Sequence, residues 1–121
     1  MPIQKVLVVD DSPADLANIK NILGEAGCVI VTATNGKEAI EKAKEEKPDL
    51  IFMDIIMPDM DGYAACRSLS NQAETKSIPV IFVTSKSQKA DRLWAQMQGG
   101  KGFITKPYVA DAITDQLKAF L

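Results

Sequence analysis

Five side chains could do chemistry together if the fold assembled them: the acidic pair Asp10-Asp11, then Asp54, Thr84, and Lys106 beside Pro107. Singly, each has an ordinary explanation. Asp10-Asp11 precedes Ser12-Pro13, where turn formers and cap residues are common. Asp54 suits a strand-ending turn, Thr84 is a β-branched residue of the kind that ends strands, and Lys106 would be a solvated lysine before a turn proline. Gathered at one place, the three carboxylates repel, and each would have its pKa raised unless a cation resolves the conflict. The candidate cations are Lys106 and a divalent metal. A donor set of carboxylates, backbone carbonyl and water, without Cys or His, selects a hard ion. Mg²⁺ fits best, because it takes one or two carboxylates, keeps several waters and accepts phosphate oxygens as further ligands. Structural calcium is second, and no EF-hand spacing is present. Carboxylate, hydroxyl, ammonium and metal are the components of phosphoryl transfer to an aspartate nucleophile, with cations clamping the developing charge. Asp54 is the natural nucleophile.

Positioning these residues falls to an alternation of short apolar runs with longer amphipathic stretches. The runs are Lys5–Val9, Val29–Ala33, Leu50–Met53, Val80–Val83 and, more weakly, Gly102–Thr105. Three are continuous and rich in Val, Ile and Phe, as strands buried on both faces of a parallel sheet require. Ser12-Pro13-Ala14-Asp15 reads as a helix start with a cap, proline at the first position and an acid at the third. That helix should bury Leu16, Ile19, Leu23 and Ala26 before Gly27 ends it. Asn35-Gly36-Lys37-Glu38 is close to a capping box, and its helix should bury Ala39, Ile40 and Ala43 and stop at Lys47-Pro48. A third helix from Gly62 should carry Ala65, Cys66 and Leu69 inward. A fourth, from about Ser87, should place Ala90, Leu93, Trp94 and Met97 on one face before Gly99-Gly100, so that Trp94 reads first as a core residue and second as a docking residue. A fifth from Val109 should bury Ile113, Leu117 and Phe120. Strict alternation means an α/β fold with right-handed crossovers. Ligands of such sheets bind beyond the carboxyl ends of the strands. The residues found there are Asp10-Asp11, Asp54, Thr84-Ser85 and Lys106-Pro107.

Composition narrows the function. With 121 residues, 46% of them hydrophobic, the chain is one domain with a real core. A formal net charge of −2 and a pI near 5.1 argue against a nucleic-acid binder, which normally presents a basic face. The chain has no histidine, so it cannot itself supply a Ser-His-Asp triad or a histidine ligand. Cys28 and Cys66 fit no metal or redox spacing and read as reduced thiols of a cytoplasmic protein. No apolar stretch approaches the roughly 18 residues of a membrane helix, so membrane insertion is not expected. No Walker A sequence supports a nucleotide hydrolase. A flavodoxin-like cofactor carrier would need a phosphate cradle after the first strand, where Asp10-Asp11 would repel phosphate. An aspartyl-phosphate phosphatase would need D-x-D, a second catalytic acid and a cap domain, for which 121 residues are too few.

The chain resembles, over its whole length, the receiver domains of bacterial two-component response regulators. The resemblance is carried by Asp10-Asp11, by Asp54 within D-I-I-M-P-D-M-D-G, by Thr84 and by Lys106-Pro107. The intervals of 43, 30 and 22 residues from Asp11 through Asp54 and Thr84 to Lys106 also agree with the family. It implies a CheY-like, flavodoxin-like doubly wound fold: five parallel strands in the order 2-1-3-4-5, flanked by five helices. It also implies that Asp54 accepts a phosphoryl group from a histidine of a partner kinase, and that the protein is a phosphoacceptor rather than an enzyme acting on other substrates. Asp11, Asp54 and the backbone carbonyl of Ile56 would hold Mg²⁺, with Asp10 acting through water. Lys106 would pair with Asp54 and then with the phosphoryl group, and the Lys106-Pro107 peptide is expected to be cis. Thr84 would donate its hydroxyl to the phosphoryl group, and Phe103 falls at the family's switching aromatic. Ile56 cannot orient an attacking water, so self-catalysed hydrolysis is not expected to be fast.

The segment Arg92-Leu93-Trp94-Ala95-Gln96-Met97-Gln98-Gly99-Gly100 and the loop from Asn71 to Pro79 are similar to single-domain regulators of pilus-based twitching motility. This implies a receiver domain over residues 1–121 without an effector domain, signalling through its fourth helix, fifth strand and fifth helix to a downstream protein of the pilus or motility machinery. A phosphorelay intermediate or a phosphate sink would use the same residues. Lys86, Lys89, Arg92 and Lys101 would give the fourth-helix face a mild positive field, or simply solvate it.

Overall fold

A computed structural model describes residues 4–86 and 88–120 of the chain. Five parallel strands, β1 (Lys5–Val9), β2 (Val29–Ala33), β3 (Leu50–Met53), β4 (Val80–Thr84) and β5 (Gly102–Thr105), form one sheet in the order β2-β1-β3-β4-β5. Between and after them run α1 (Pro13–Glu25), α2 (Gly36–Glu46), α3 (Gly62–Ser70), α4 (Lys89–Met97) and α5 (Ala110–Phe120). Both the α/β class and the strand order implied by the family resemblance are found.

Side chains alternate across a strand, and the core divides accordingly. Leu7, Val9, Ile51, Met53 and Phe82 point to the face covered by Ala39 and Ala43 of α2, Ala65, Cys66 and Leu69 of α3, and Ala95 of α4. Val6, Val8, Leu50, Phe52, Ile81 and Val83 point to the face covered by Ile19 and Leu23 of α1 and Ile113 of α5. The central strands are apolar at nearly every position because both of their faces are covered.

Register sets the level of the site. Val9 pairs with Met53, so Asp10 and Asp54 leave adjacent strands side by side. Thr84 pairs with Thr105, so Lys106 emerges just beyond Thr84. Side-chain caps start the helices facing this edge: the Ser12 hydroxyl accepts from Asp15 N, and the Asp61 carboxylate accepts from Ala64 N. Asn35 caps α2 through Glu38 N, while the Glu38 carboxylate accepts from Thr34 N, one residue before the position a capping box would use.

Two expectations about burial and one about a helix start need correction. Ala26 is exposed, because α1 ends at Glu25 and Gly27 turns the chain away at φ +86°. α4 starts at Lys89, and Ser87 lies outside the described residues. The expected inner face of α4 is its outer face: Ala90 is exposed, and Leu93, Trp94 and Met97 are 53%, 45% and 73% exposed. Ala95 and Gln98 face inward instead. Close approach is the reason. A Cβ on Gly100 would lie 2.7 Å from the Phe82 ring and 2.9 Å from the Ala95 carbonyl oxygen, leaving room for a methyl at Ala95 but not for an indole. Trp94 therefore lies outside, edge-on to Tyr63 at 6.4 Å between ring centroids.

Candidate functional site

The five residues singled out above lie at the carboxyl edge of the sheet. Asp10 continues β1 by donating its N–H to the Ala33 carbonyl at 3.1 Å. Its carboxylate is buried, and both oxygens are engaged: Oδ1 accepts from Ser12 N at 2.9 Å and Oδ2 from Lys106 Nζ at 2.8 Å. Burial pushes the Asp10 carboxyl above its ordinary pKa, and the bonds from Lys106 and Ser12 only partly offset this.

Asp54 continues β3 in the same manner, its N–H donating to the Val9 carbonyl at 3.0 Å. Its Oδ1 accepts from Ile55 N at 2.7 Å and its Oδ2 from Lys106 Nζ at 3.2 Å. The loop that follows folds back over the strand end. Gly62 N donates to the Ile55 carbonyl, and Gly36 N, at the start of α2, donates to the Met60 carbonyl. Asp59 adopts a left-handed conformation at φ 67° within that loop. Ile56 is exposed on its outside.

Lys106 is the hub. Its side chain is mostly buried and pairs with Asp10, Asp54 and also Asp15. Burial works to lower the ammonium pKa, but its hydrogen bonds to the Asp10 and Asp15 carboxylates, with the Asp54 charge, outweigh it and raise the pKa. The ammonium is therefore held charged. The Lys106-Pro107 peptide is cis.

Thr84 is fully buried at the end of β4. Its carbonyl accepts Lys106 N at 2.8 Å, and its hydroxyl accepts Lys86 N at 3.4 Å. Phe103, in register with Phe82 on β4, is partly buried beneath the Arg92 guanidinium, which lies 4.8 Å from the ring centroid. Arg92 also donates to the Thr105 hydroxyl. Of the lysines expected to give a positive field, Lys86 is neutralised in part by Asp91 at 3.7 Å.

One carboxylate oxygen each from Asp10, Asp11 and Asp54 lies within 4.8 Å of the others, and Asp11 is exposed. An all-oxygen donor set of this kind, open to solvent on one side, suits a small hard divalent ion. Asp10 and Asp54 each have both oxygens hydrogen-bonded, but Asp10 is the more deeply buried and lies closer to Lys106, 2.8 Å against 3.2 Å, so it is the member least available to bind a metal directly.

Asp15 is a residue of the site that sequence alone does not place there, because an acid in the first turn of a helix is explained by capping. The available signal was position: α1 starts two residues after Asp11, so its first turn must hang over the same sheet edge.

Sequence comparison finds Protein PilH of Pseudomonas aeruginosa, 38% identical over 117 residues that cover 97% of each chain. Chemotaxis protein CheY4 of Vibrio cholerae superposes with a TM-score of 0.92 at 28% identity, over 99% of this chain and all of the other. The receiver domain of the sensor histidine kinase PA1611 from P. aeruginosa, solved with a magnesium ion coordinated in its active-site cleft, superposes with a TM-score of 0.91 at 26% identity, over 98% of each chain. The family model of the response regulator receiver domain matches residues 6–118. Sheet order, acidic cluster, ammonium hub and these matches agree, and the chain belongs to the response regulator receiver domain family.

Proposed function

We propose that this chain is a two-component response regulator that takes a phosphoryl group onto Asp54 from a phosphohistidine of a partner kinase. The observation that carries this reading is the Lys106 ammonium bonded to both Asp10 and Asp54 at the carboxyl end of the sheet. A carboxylate oxygen of Asp54 attacks phosphorus, the phosphorus–nitrogen bond of the donor breaks, and the electron pair leaves with the imidazole. The Lys106 ammonium then transfers a hydrogen bond to a phosphoryl oxygen, and the Thr84 hydroxyl turns from Lys86 N to do the same. Asp11, Asp54 and the Ile56 carbonyl, with Asp10 through water, would hold Mg²⁺, which supplies charge neutralisation at the transferring group.

Phosphorylation adds charge and three acceptor oxygens at Asp54. Movement of Thr84 toward them frees space beside β4 that Phe103 can fill, shifting the population of arrangements of α4, β5 and α5. The exposed Leu93, Trp94 and Met97 support that face as the output surface. The likeness to PilH, together with the α4 segment, favours a role in pilus-based motility, as a phosphoacceptor rather than an enzyme with external substrates.

The test is incorporation of phosphate from acetyl phosphate with Mg²⁺. Wild type is expected to form one acid-labile acyl phosphate per chain, and Asp54→Asn none. Labelling of Asp54→Asn at the wild-type rate would remove Asp54 from its role.

A further inference from the structure

We propose that Asp15 is a positioning residue: it fixes the direction in which the Lys106 ammonium points. An ammonium has three N–H donors, and all three are used, on Asp10 Oδ2 at 2.8 Å, Asp15 Oδ2 at 2.8 Å and Asp54 Oδ2 at 3.2 Å. The two short bonds both go to carboxylates at the β1–α1 junction, one just after β1 and one in the first turn of α1. Asp10 is tied down by Ser12 N, and Asp15 sits in the first turn of α1 with its own N–H on the Ser12 hydroxyl. The longest bond is the one that crosses to Asp54. The held Asp10 carboxylate and an Asp15 carboxylate carried on the anchored first turn of α1 thus aim the third N–H at the atom where phosphoryl charge develops, and preorganised donors of this kind act without reorganisation during the reaction.

Sterics alone do not hold the ammonium there. It borders a cavity of about 340 Å³ lined by Asp15, Asn18, Ser85, Pro107 and Tyr108. A lysine stem has four flexible carbons, so without Asp15 it has room to turn into that cavity. The alternative is that Asp15 merely stabilises α1 as an acid near the helix N-terminus, or forms a surface ion pair of small energy, since its side chain is 46% exposed. Either of those roles alters stability and leaves the geometry of Lys106 and the transfer rate unchanged.

The kinetic consequence rests on Asp54 being the phosphoacceptor; the geometric claim does not. Two measurements on the full chain therefore decide it. The first is the NMR order parameter of the Lys106 ε-methylene, recorded with EDTA and no phosphodonor. In Asp15→Ala it is expected to fall toward that of exposed Lys20, and in Asp15→Glu to stay near wild type. The second is phosphorylation by acetyl phosphate with Mg²⁺. In Asp15→Ala the saturating rate is expected to drop about tenfold, as for a modest misplacement of a catalytic group, without a rise in the half-saturating donor concentration. Asp15→Glu is expected to recover most of the rate. An unchanged Lys106 order parameter in Asp15→Ala, or an unchanged saturating rate, overturns the proposal. If wild type takes no phosphate, the reading of Asp54 fails, and the order parameter still decides whether Asp15 holds Lys106.

Discussion

A methyl group placed on Gly62 would overlap the Asp54 carbonyl oxygen and approach the Ile55 Cα to 2.9 Å. The neighbours it would strike are backbone, which cannot turn aside as a flexible side chain would. The end of the D-I-I-M-P-D-M-D-G segment is thus set by contact with the proposed acceptor itself, and the Gly62 N–H bond to the Ile55 carbonyl fastens the loop over it. Gly62→Ala must therefore shift either the start of α3 or the Asp54 peptide. Its expected cost lies at or above the top of the about 1–3 kcal/mol usual for overpacking, measured by chemical denaturation. Phosphorylation by acetyl phosphate should fall in the protein that remains folded. Wild-type stability in that variant would show the loop free to retreat, and the tight-contact argument would be wrong.

At the scale of elements, the same physics made some of the structure legible and some not. β1, β3 and β4 were readable because a strand covered on both faces is apolar throughout, and their four- to five-residue length and Val, Ile and Phe content separate them from a buried helix. The starts of α1 and α2 were readable because Ser12 and Asn35 satisfy N–H groups that no helix can satisfy internally, whereas the Asp61 cap of α3 emerged only with the structure. α4 was misread because periodicity locates an apolar stripe but not the side of the sheet it meets. Here Leu93, Trp94 and Met97 form the stripe, while the tight seat of Gly100 on Phe82 admits only the Ala95 side. Within the site, Asp10, Asp11, Asp54, Thr84 and Lys106 were legible because each ends or follows a strand, whereas Asp15 was not, because a first-turn acid is explained equally well by capping. The orientation of α4 has a measurable consequence. Met97→Ala should cost under about 0.5 kcal/mol, as an exposed substitution does, whereas Ile113→Ala, on the buried face of α5, should cost about 2–5 kcal/mol. A loss at Met97 comparable with that at Ile113 would mean that the stripe faces the sheet after all.

For the whole molecule, the sheet gathers Asp10, Asp11, Asp15 and Asp54 at one edge, against the Lys106 ammonium alone among the described residues. Folding therefore works against like-charge repulsion that the unfolded chain escapes, because its acids are dispersed in water. A divalent cation that binds the folded edge and not the unfolded chain must stabilise the fold through mass action. At a free concentration ten times its dissociation constant, that stabilisation is about 1.4 kcal/mol, which corresponds to a rise of several degrees in the unfolding midpoint of a domain this size. Mg²⁺ is expected to produce that rise in wild type. Asp11→Asn and Asp54→Asn should show a smaller one, while each is at least as stable as wild type in EDTA, because each removes a repelling charge. The two halves of this expectation have opposite signs, so differential scanning calorimetry with and without Mg²⁺ separates them. If the variants were destabilised in EDTA and wild type did not respond to Mg²⁺, the acids would be holding the edge together through Lys106 and the N–H groups alone, and the cluster would have no need of a metal.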